Sequence, residues 1–314
     1  MALGVNDYCS ELVNRLGQGW NRFWYTPSDP ITMCALRACV GGLSLIWFWC
    51  LGSDLQYLFG TDGLLPPGTS LNADSWTFSI FDWIGDGTSL TIAFWAGMLV
   101  LLAFTVGFFS RVTNLLSLGL VLSVLHRKVL LLSPFEAVLV PALLYLCIAP
   151  TGAAFSLDYF LNRNKTVGSG AAPPRSYWAT IATRLLQIHM VAIYAMMVLA
   201  KLRIGMWWQG TAVWWMTGKA DTRIVDFTGL PVYMLNAWTH AIVLFEGAFA
   251  VLIWNRLARP LLLALSVVMW GSLCLITGDI LFSLLMIVAG FAFVSPAWLR
   301  ASCSQCESSV AKRV

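Results

Sequence analysis

The sequence predicts an all-α bundle of transmembrane helices, a polytopic integral membrane protein with about eight spans. Apolar residues make up 59% of the 314 residues and charged residues only 11%, whereas about a quarter of the residues in soluble domains are charged. The apolar residues come in runs near the roughly 20 that a helix needs to cross a bilayer. The 16 tryptophans suit the aromatic belts at the two membrane interfaces.

The chain is predicted to divide into a polar N-terminal segment (1–19), one transmembrane domain (20–300) and a short polar tail (301–314). The N-terminal segment lacks the early apolar run of a secretory signal peptide, so no cleaved signal is expected. The tail holds one CxxC pair, Cys303 and Cys306, and no second pair that would complete a zinc site. A net charge of only +4, spread along the chain, gives no basic patch for nucleic acid.

Helix breakers separate the predicted spans, among them Ser133-Pro134, Arg259-Pro260 and Gly278-Asp279. Lysine and arginine are more frequent on the side that holds both termini, which predicts cytoplasmic termini and two long loops, 53–87 and 203–236, on the outer side. The spans are predicted at 33–52, 88–109, 112–132, 134–150, 179–202, 237–255, 260–277 and 280–299.

Lys201 is the strongest candidate for a functional residue. It stands near the end of the apolar run from Tyr177 to Leu202 and precedes the tryptophan-rich stretch from Met206 to Gly210. An ammonium in hydrocarbon costs roughly 3 kcal/mol on insertion scales. Because burial favours the uncharged amine, a lysine here is a possible base.

Four further ionisable residues are predicted at a depth similar to that of Lys201, near the outer ends of other spans. Such groups usually face the bundle interior or a wet cavity. The alternative is structural, because a carboxylate beside a helix start can simply act as a cap. The four residues are His126, Glu136, His240 and Asp279.

The fifth predicted span carries a polar stripe. Arg184, Gln187, Tyr194 and Lys201 fall within about 100° of arc at the helical period. Glu246 lies in the middle of the sixth predicted span and is predicted to pair with Arg184 or Tyr194, two alternatives that the sequence leaves open.

Several polar and aromatic residues are expected to have structural roles. His189 lies one position off the stripe and is interpreted as a buried, hydrogen-bonded histidine. Arg127, Lys128 and Arg203 are expected to extend their charged ends to the lipid headgroups. The tryptophan cluster is interpreted as an interfacial anchor or as the lining of a site for a flat ring. Its members are Trp207, Trp208, Trp214 and Trp215.

No metal, nucleotide or hydrolase motif is present in the sequence. The three histidines lie on three different predicted spans, so their spacing indicates neither haem nor another metal. No metal site is therefore predicted.

Six short segments occur in a characteristic order: Phe23–Pro30, Leu58–Pro66, Ser123–Arg127, Ser156–Asp158, Ala200–Leu202 and Trp208–Ala212. Together they resemble the horizontally transferred transmembrane domain (HTTM), which is shared with vitamin K-dependent gamma-carboxylases. The resemblance covers most of residues 20–299.

The resemblance implies that Lys201 takes a proton from a reduced quinone, vitamin K hydroquinone or menaquinol, with His126 beside the site. In those carboxylases the hydroquinone then reacts with oxygen and yields the base that allows a glutamate to be carboxylated. Lys128 stands where the pattern has asparagine, and Glu136 where it has aspartate. The large extramembrane domain of full carboxylases has no counterpart in these residues. The ring is predicted to lie among Trp208, Tyr194, Gln187, Glu246 and His240.

Two functions remain open from the sequence. One is quinol binding with a buried lysine as the base in oxygen-linked epoxidation or carboxylation, a lyase- or epoxidase-like activity. The other is a non-enzymatic membrane factor for the maturation or export of a small secreted peptide. Short bacterial members of the family resemble such a maturation factor. A solute carrier is disfavoured because no inverted repeat is found. The expected location is the bacterial cytoplasmic (inner) membrane.

Overall fold

The computed structural model describes residues 5–65, 79–84, 86–127, 132–163, 174–219 and 221–301, and all regular secondary structure in these ranges is helical. Two short 3-10 helices, Ile80–Trp83 and Phe291–Phe293, accompany the α-helices. The α-helices are α1 Val5–Tyr25, α2 Ile31–Gly52, α3 Leu55–Phe59, α4 Gly87–Val106, α5 Ser110–Arg127, α6 Pro134–Ile148, α7 Leu157–Arg163, α8 Tyr177–Leu202, α9 Gly205–Trp208, α10 Ala212–Thr217, α11 Val232–Leu252, α12 Ala258–Thr277 and α13 Ile280–Gly290.

Within the described residues, five helices are long and apolar enough to cross a membrane: α2, α4, α8, α11 and α12. Two more, α6 and α13, are apolar but shorter. The prediction of a helical integral membrane protein is thereby confirmed, since so much apolar helix has no place in a soluble protein of this size. The count of eight spans and the cytoplasmic termini remain predictions.

Helix α2 lies at the centre of the bundle. It packs against α4, α6 and α13, and 67% of its apolar window is buried, compared with a third or less in the other four long helices. Helix α8 packs against α11 and α6. The buried side chains of these helices form one continuous apolar core, which fixes the position of α8 relative to α11.

Two charged residues, one of them buried, organise the turn between α4 and α5. Arg37 of α2 is fully buried and donates to the carbonyls of Phe104 and Thr105, at 2.6 and 2.8 Å. Carbonyls in the last turn of a helix lack intrahelical partners, so the guanidinium satisfies the end of α4. Asp158 of α7 accepts hydrogen bonds from the backbone N–H groups of Phe109 and Ser110, at 2.9 and 2.8 Å, where α5 begins.

Arg127 does not extend to the headgroups, and that prediction is wrong. Arg127 is only 7% exposed. Its guanidinium donates to the carbonyls of Phe59 (2.8 Å), Leu65 (3.0 Å) and Phe81. It also lies 5.0 Å from the centre of the Phe59 ring. These backbone carbonyls, at the ends of short helices and beside them, need donors, and a guanidinium with five N–H groups satisfies them at a buried helix end. Arg203 is exposed, as expected, and Lys128 lies outside the described residues.

Residues 5–19 of the segment predicted as a polar N-terminus belong to α1, an amphipathic helix. Its exposed apolar residues Leu12, Val13, Leu16 and Trp20 fall within about 100° of the helix circumference. A helix with one such face beside a polar face is typical of a membrane interface. Cys303 and Cys306 of the predicted tail lie outside the described residues.

Candidate functional site

The candidate site is a buried pair formed by Lys201 and Glu246. The Lys201 ammonium donates to Oε1 of Glu246 in a short salt bridge. The side chains are 14% and 0% exposed, respectively. The second carboxylate oxygen, Oε2, is also buried and has no hydrogen-bond partner in the described part of the chain. A charge pair with one unsatisfied acceptor is thus enclosed in an apolar bundle.

The packing of α8 against α11 creates this pair. Lys201 is the second-last residue of α8, and Glu246 lies in the central part of α11. The end of α8 therefore meets the interior of α11 and not its start. From the sequence, Glu246 was predicted to pair with either Arg184 or Tyr194. The pairing with Arg184 is wrong, because the carboxylate of Glu246 forms its salt bridge with Lys201.

Trp207 completes the surroundings of the ammonium. After α8 ends, the chain turns at Arg203 and Ile204 and enters the short helix α9. This turn brings the Trp207 ring back over Lys201, with 4.9 Å between Nζ and the ring centre. An ammonium above an aromatic face gains more when water is excluded, and Trp207 is only 8% exposed.

Trp208, which was predicted to line the ring site, has another role in the structure. Its ring is 66% exposed, and its indole N–H donates to the carbonyl of Leu202 at 2.7 Å. It thereby satisfies a carbonyl at the end of α8. The tryptophan at the pair is Trp207, which sequence reasoning placed in the cluster without distinguishing it from its neighbour.

Tyr194 lies two turns before Lys201 on α8 and is fully buried. Its hydroxyl accepts a hydrogen bond from the Trp270 indole at 2.7 Å, and its ring stacks on Phe249 with 4.0 Å between centroids. Glu246 is close enough to interact electrostatically with this hydroxyl. Tyr194, Phe249 and Trp270 therefore form an aromatic wall next to the pair.

His240 lies on α11 six residues before Glu246, about 9 Å along the helix axis. Its ring packs against Gly210, which has a φ of +77°, and a Cβ there would stand 3.0 Å from His240 Nε2. Glycine is required because both the left-handed backbone and the close approach exclude a side chain. His240 thus positions the connection between α9 and α10 on α11.

Gln187 and Arg184 lie towards the opposite end of α8. Gln187 donates to the carbonyl of Ala292 at 2.7 Å and accepts from Arg184 at 2.9 Å. Arg184 also lies 4.5 Å from the centre of the Phe23 ring. Gln187 precedes Lys201 by 14 residues, about 21 Å along the axis. The predicted polar stripe therefore divides, and only Tyr194 and Lys201 belong to the site.

The other predicted site residues lie on other helices. His126 is on α5, which packs on α4 and α6, and α6 also contacts α8; its role beside Lys201 remains a prediction. Glu136 is the third residue of α6 and forms a capping box with Ser133. It accepts from the backbone of Ser133 at 2.6 Å and from the Trp47 indole at 3.1 Å. Asp279 is exposed before α13, and its side chain makes no cap bond to that helix.

His189 matches its structural interpretation. It is partly buried, and its Nδ1 lies 3.2 Å from the hydroxyl of Tyr145. The two rings meet edge to face, with 5.9 Å between their centroids. A polar group in the bundle is thus satisfied by its neighbour, as the cost of an unpaired buried group demands.

Within the described ranges no three His, Cys, Asp or Glu side chains are grouped closely enough to hold a metal ion. Comparison with known proteins gave no match to a family model, to a curated protein or to a solved structure. The chemistry of the site itself must therefore indicate a function. A neutral pair of charges beside aromatic faces can accept a hydrogen bond or a proton from an apolar ligand that carries a hydroxyl.

Proposed function

We propose that this integral membrane protein binds the ring of a reduced quinone beside Lys201 and Glu246 and takes a proton from the ring hydroxyl. The observation that carries the proposal is the buried pair, in which one carboxylate oxygen has no partner among the described residues and the ammonium lies under the face of Trp207. A reduced quinone is soluble in the bilayer, has a flat ring and presents hydroxyl donors. The apolar bundle around the site, the aromatic face of Trp207 and the unpartnered carboxylate oxygen of Glu246 match these three properties in turn.

Loss of the proton is the step that makes a hydroquinone reactive. A phenolic hydroxyl held against an anionic acceptor in a water-poor site can lose its proton, because burial disfavours the charged form of the acceptor and so makes it a stronger base. The resemblance to the vitamin K-dependent carboxylases supports this substrate class, with vitamin K hydroquinone or menaquinol as the ligand and oxygen-linked epoxidation as the subsequent reaction. His126 is proposed to orient the ring.

The test uses purified protein in lipid nanodiscs and a photoreactive menaquinol analogue. We expect light-dependent labelling of the peptides that contain Trp207 or Glu246, with competition by unlabelled vitamin K hydroquinone. Lys201→Met should weaken binding by about tenfold or more. A tenfold change in affinity corresponds to about 1.4 kcal/mol of binding free energy. Epoxide formed from vitamin K hydroquinone in the presence of oxygen measures turnover.

Arg203→Met is the matched control, because Arg203 is two residues further on, cationic and exposed. It should bind the analogue as the wild type does. Labelling that spreads over the lipid-facing surface without competition would refute the quinol site. The same result would favour the membrane factor for a small secreted peptide, in which Lys201 would have no chemical role.

A further inference from the structure

We infer that the proton acceptor of this site is Oε2 of Glu246 and that Lys201 is the positioning residue that keeps this carboxylate charged. The inference rests on the proposed function and reverses the roles that the sequence suggests. It assigns the chemistry to a residue that lies outside the segments on which the family resemblance depends.

The ammonium of Lys201 is not free to accept a proton. A protonated amine has three donors and no acceptor, and in this site its N–H groups face Oε1 of Glu246 and the Trp207 ring. The amine would first have to give a proton to Glu246 and then turn its lone pair away from both partners. A hydroxyl ligand that approaches the resting pair therefore meets a donor at Lys201.

Glu246 offers the acceptor that the ligand needs. Oε1 is occupied by Lys201, whereas Oε2 is buried and unpartnered among the described residues. An unsatisfied charged oxygen in an apolar interior is costly, and native proteins rarely keep one without a reason. The Trp207 face lies over the Lys201 ammonium and Tyr194 stacks on Phe249, and such aromatic faces suit a flat ring.

The step balances in protons and charge. The O–H bond of the hydroquinone breaks, a new O–H bond forms at Oε2, and the electron pair stays on the ring oxygen. Glu246 becomes a neutral carboxylic acid, while Lys201 remains an ammonium. The neutral pair thereby becomes a cationic site beside an anionic quinolate, and their attraction stabilises the product in a medium of low polarity.

The role of Lys201 follows from the same charges. A lone carboxylate in the bundle would take up a proton from water instead of staying ionised, because burial disfavours the charged form. The salt bridge keeps Glu246 ionised and aims Oε2 away from the ammonium. After proton transfer the ammonium is the counter-ion of the quinolate.

The experiment uses the full protein in nanodiscs and, as probe, a methylated naphthol kept free of oxygen, which carries one ring hydroxyl and cannot become a quinone by simple loss of two hydrogens. The naphtholate absorbs at longer wavelength than the naphthol, so its band reports proton loss in the site. Difference infrared spectra report a protonated carboxyl group, which isotope-labelled glutamate identifies. In the wild type we expect both signals to rise together when the probe binds.

Glu246→Gln should still bind the naphthol, because a glutamine oxygen accepts a hydrogen bond, but both the naphtholate band and the carboxyl band should be lost. The double variant Glu246→Gln/Lys201→Met removes both charges and guards against misfolding caused by an unpaired lysine. It should give the same loss. Glu136→Gln is the control, since Glu136 is a buried glutamate in a capping box on another helix, and it should leave both bands intact.

A naphtholate band that persists in Glu246→Gln but disappears in Lys201→Met would overturn the inference and leave the proposed function standing, with the amine as base. A wild-type naphtholate band without a carboxyl band would have the same meaning. A wild type that does not bind the naphthol, and whose photolabelling by the menaquinol analogue is not competed, would refute both.

Discussion

Asp158, which lies outside the predicted spans, stabilises the start of α5 through its carboxylate. Burial by itself raises its pKa, but hydrogen bonds from the backbone and hydroxyl of Ser110 and from the backbone of Phe109, with the charge of Arg37, hold the pKa below the usual value of an aspartate. The ionised form is therefore the one that the folded protein stabilises. Three N–H or O–H donors at the beginning of α5 depend on it.

A pH-dependent stability difference follows from this. Because the folded protein lowers the pKa, the stabilisation is present above the unfolded value of about 3.9 and is lost as the pH falls through the folded value. Asp158→Asn should cost about 1 kcal/mol at neutral pH, as loss of a helix cap does, and the cost should shrink in acid. Thermal unfolding in detergent across this pH range measures it.

Asp62→Asn is the control for this prediction, because Asp62 is an exposed loop residue and its replacement should be neutral at every pH. An Asp158→Asn effect that stays constant from neutral pH down to strong acid would contradict the role assigned to the carboxylate charge.

At this scale the sequence identified the key residue but not its partner. Lys201 was evident because a lysine in an apolar run has a large desolvation cost. Glu246 was evident as a polar residue in a span, yet its partner depends on how far α8 extends along α11, which no local pattern contains. Arg127 was mistaken for a headgroup residue for the same reason, since its acceptors lie in short segments that are remote in sequence.

The helices themselves follow the hydrophobic runs closely, and the exceptions have physical causes. Helix α11 begins at Val232, five residues before the predicted span, because Pro231 precedes it and proline favours helix starts. The short helices α9 and α10 were not predicted. Their tryptophan-rich sequence has no helical period, and they form because they pack on α11.

Gly278 ends α12 with a φ of +74°. The Thr222 carbonyl lies where a Cβ would be, and the backbone N–H groups of Ile224 and Val225 donate to the Leu275 carbonyl at 2.9 and 3.1 Å. Gly278→Ala should therefore destabilise the protein by about 1–3 kcal/mol and expose the loop to trypsin at Arg223. Thermal unfolding and the rate of tryptic cleavage measure the two effects.

Gly271 provides the matched control on the same helix. A Cβ there would meet nothing within 4 Å, so Gly271→Ala should be neutral or more stable by up to about 1 kcal/mol, the difference in helix propensity. Equal behaviour of the two alanine variants would show that the loop does not depend on this close approach.

For the whole molecule, the sequence predicts the fold class, and the helices confirm it. The orientation in the membrane remains a prediction. Composition alone predicts the helical membrane protein because the bilayer excludes unpaired backbone, and the apolar helices confirm it. Orientation rests on a charge bias, which acts during insertion and leaves no trace in side-chain contacts.

Orientation can be tested by cysteine labelling in a background without other cysteines. A membrane-impermeant maleimide applied to intact cells should label Asp62→Cys and leave Cys303 and Cys306 unlabelled, because the loop is predicted outside and the tail inside. Permeabilised cells, in which all three positions should react, are the control. Labelling of the tail in intact cells would reverse the topology or imply an odd number of spans.

Arg127 also links two parts of the chain that are separated in sequence. Its guanidinium binds the carbonyls of Leu65 and Phe81, so these two residues are held side by side at the end of α5. Neither backbone segment can detach from the helix end without leaving a buried donor of this side chain unpaired, which is costly. One arginine thus couples the opening of both segments to each other.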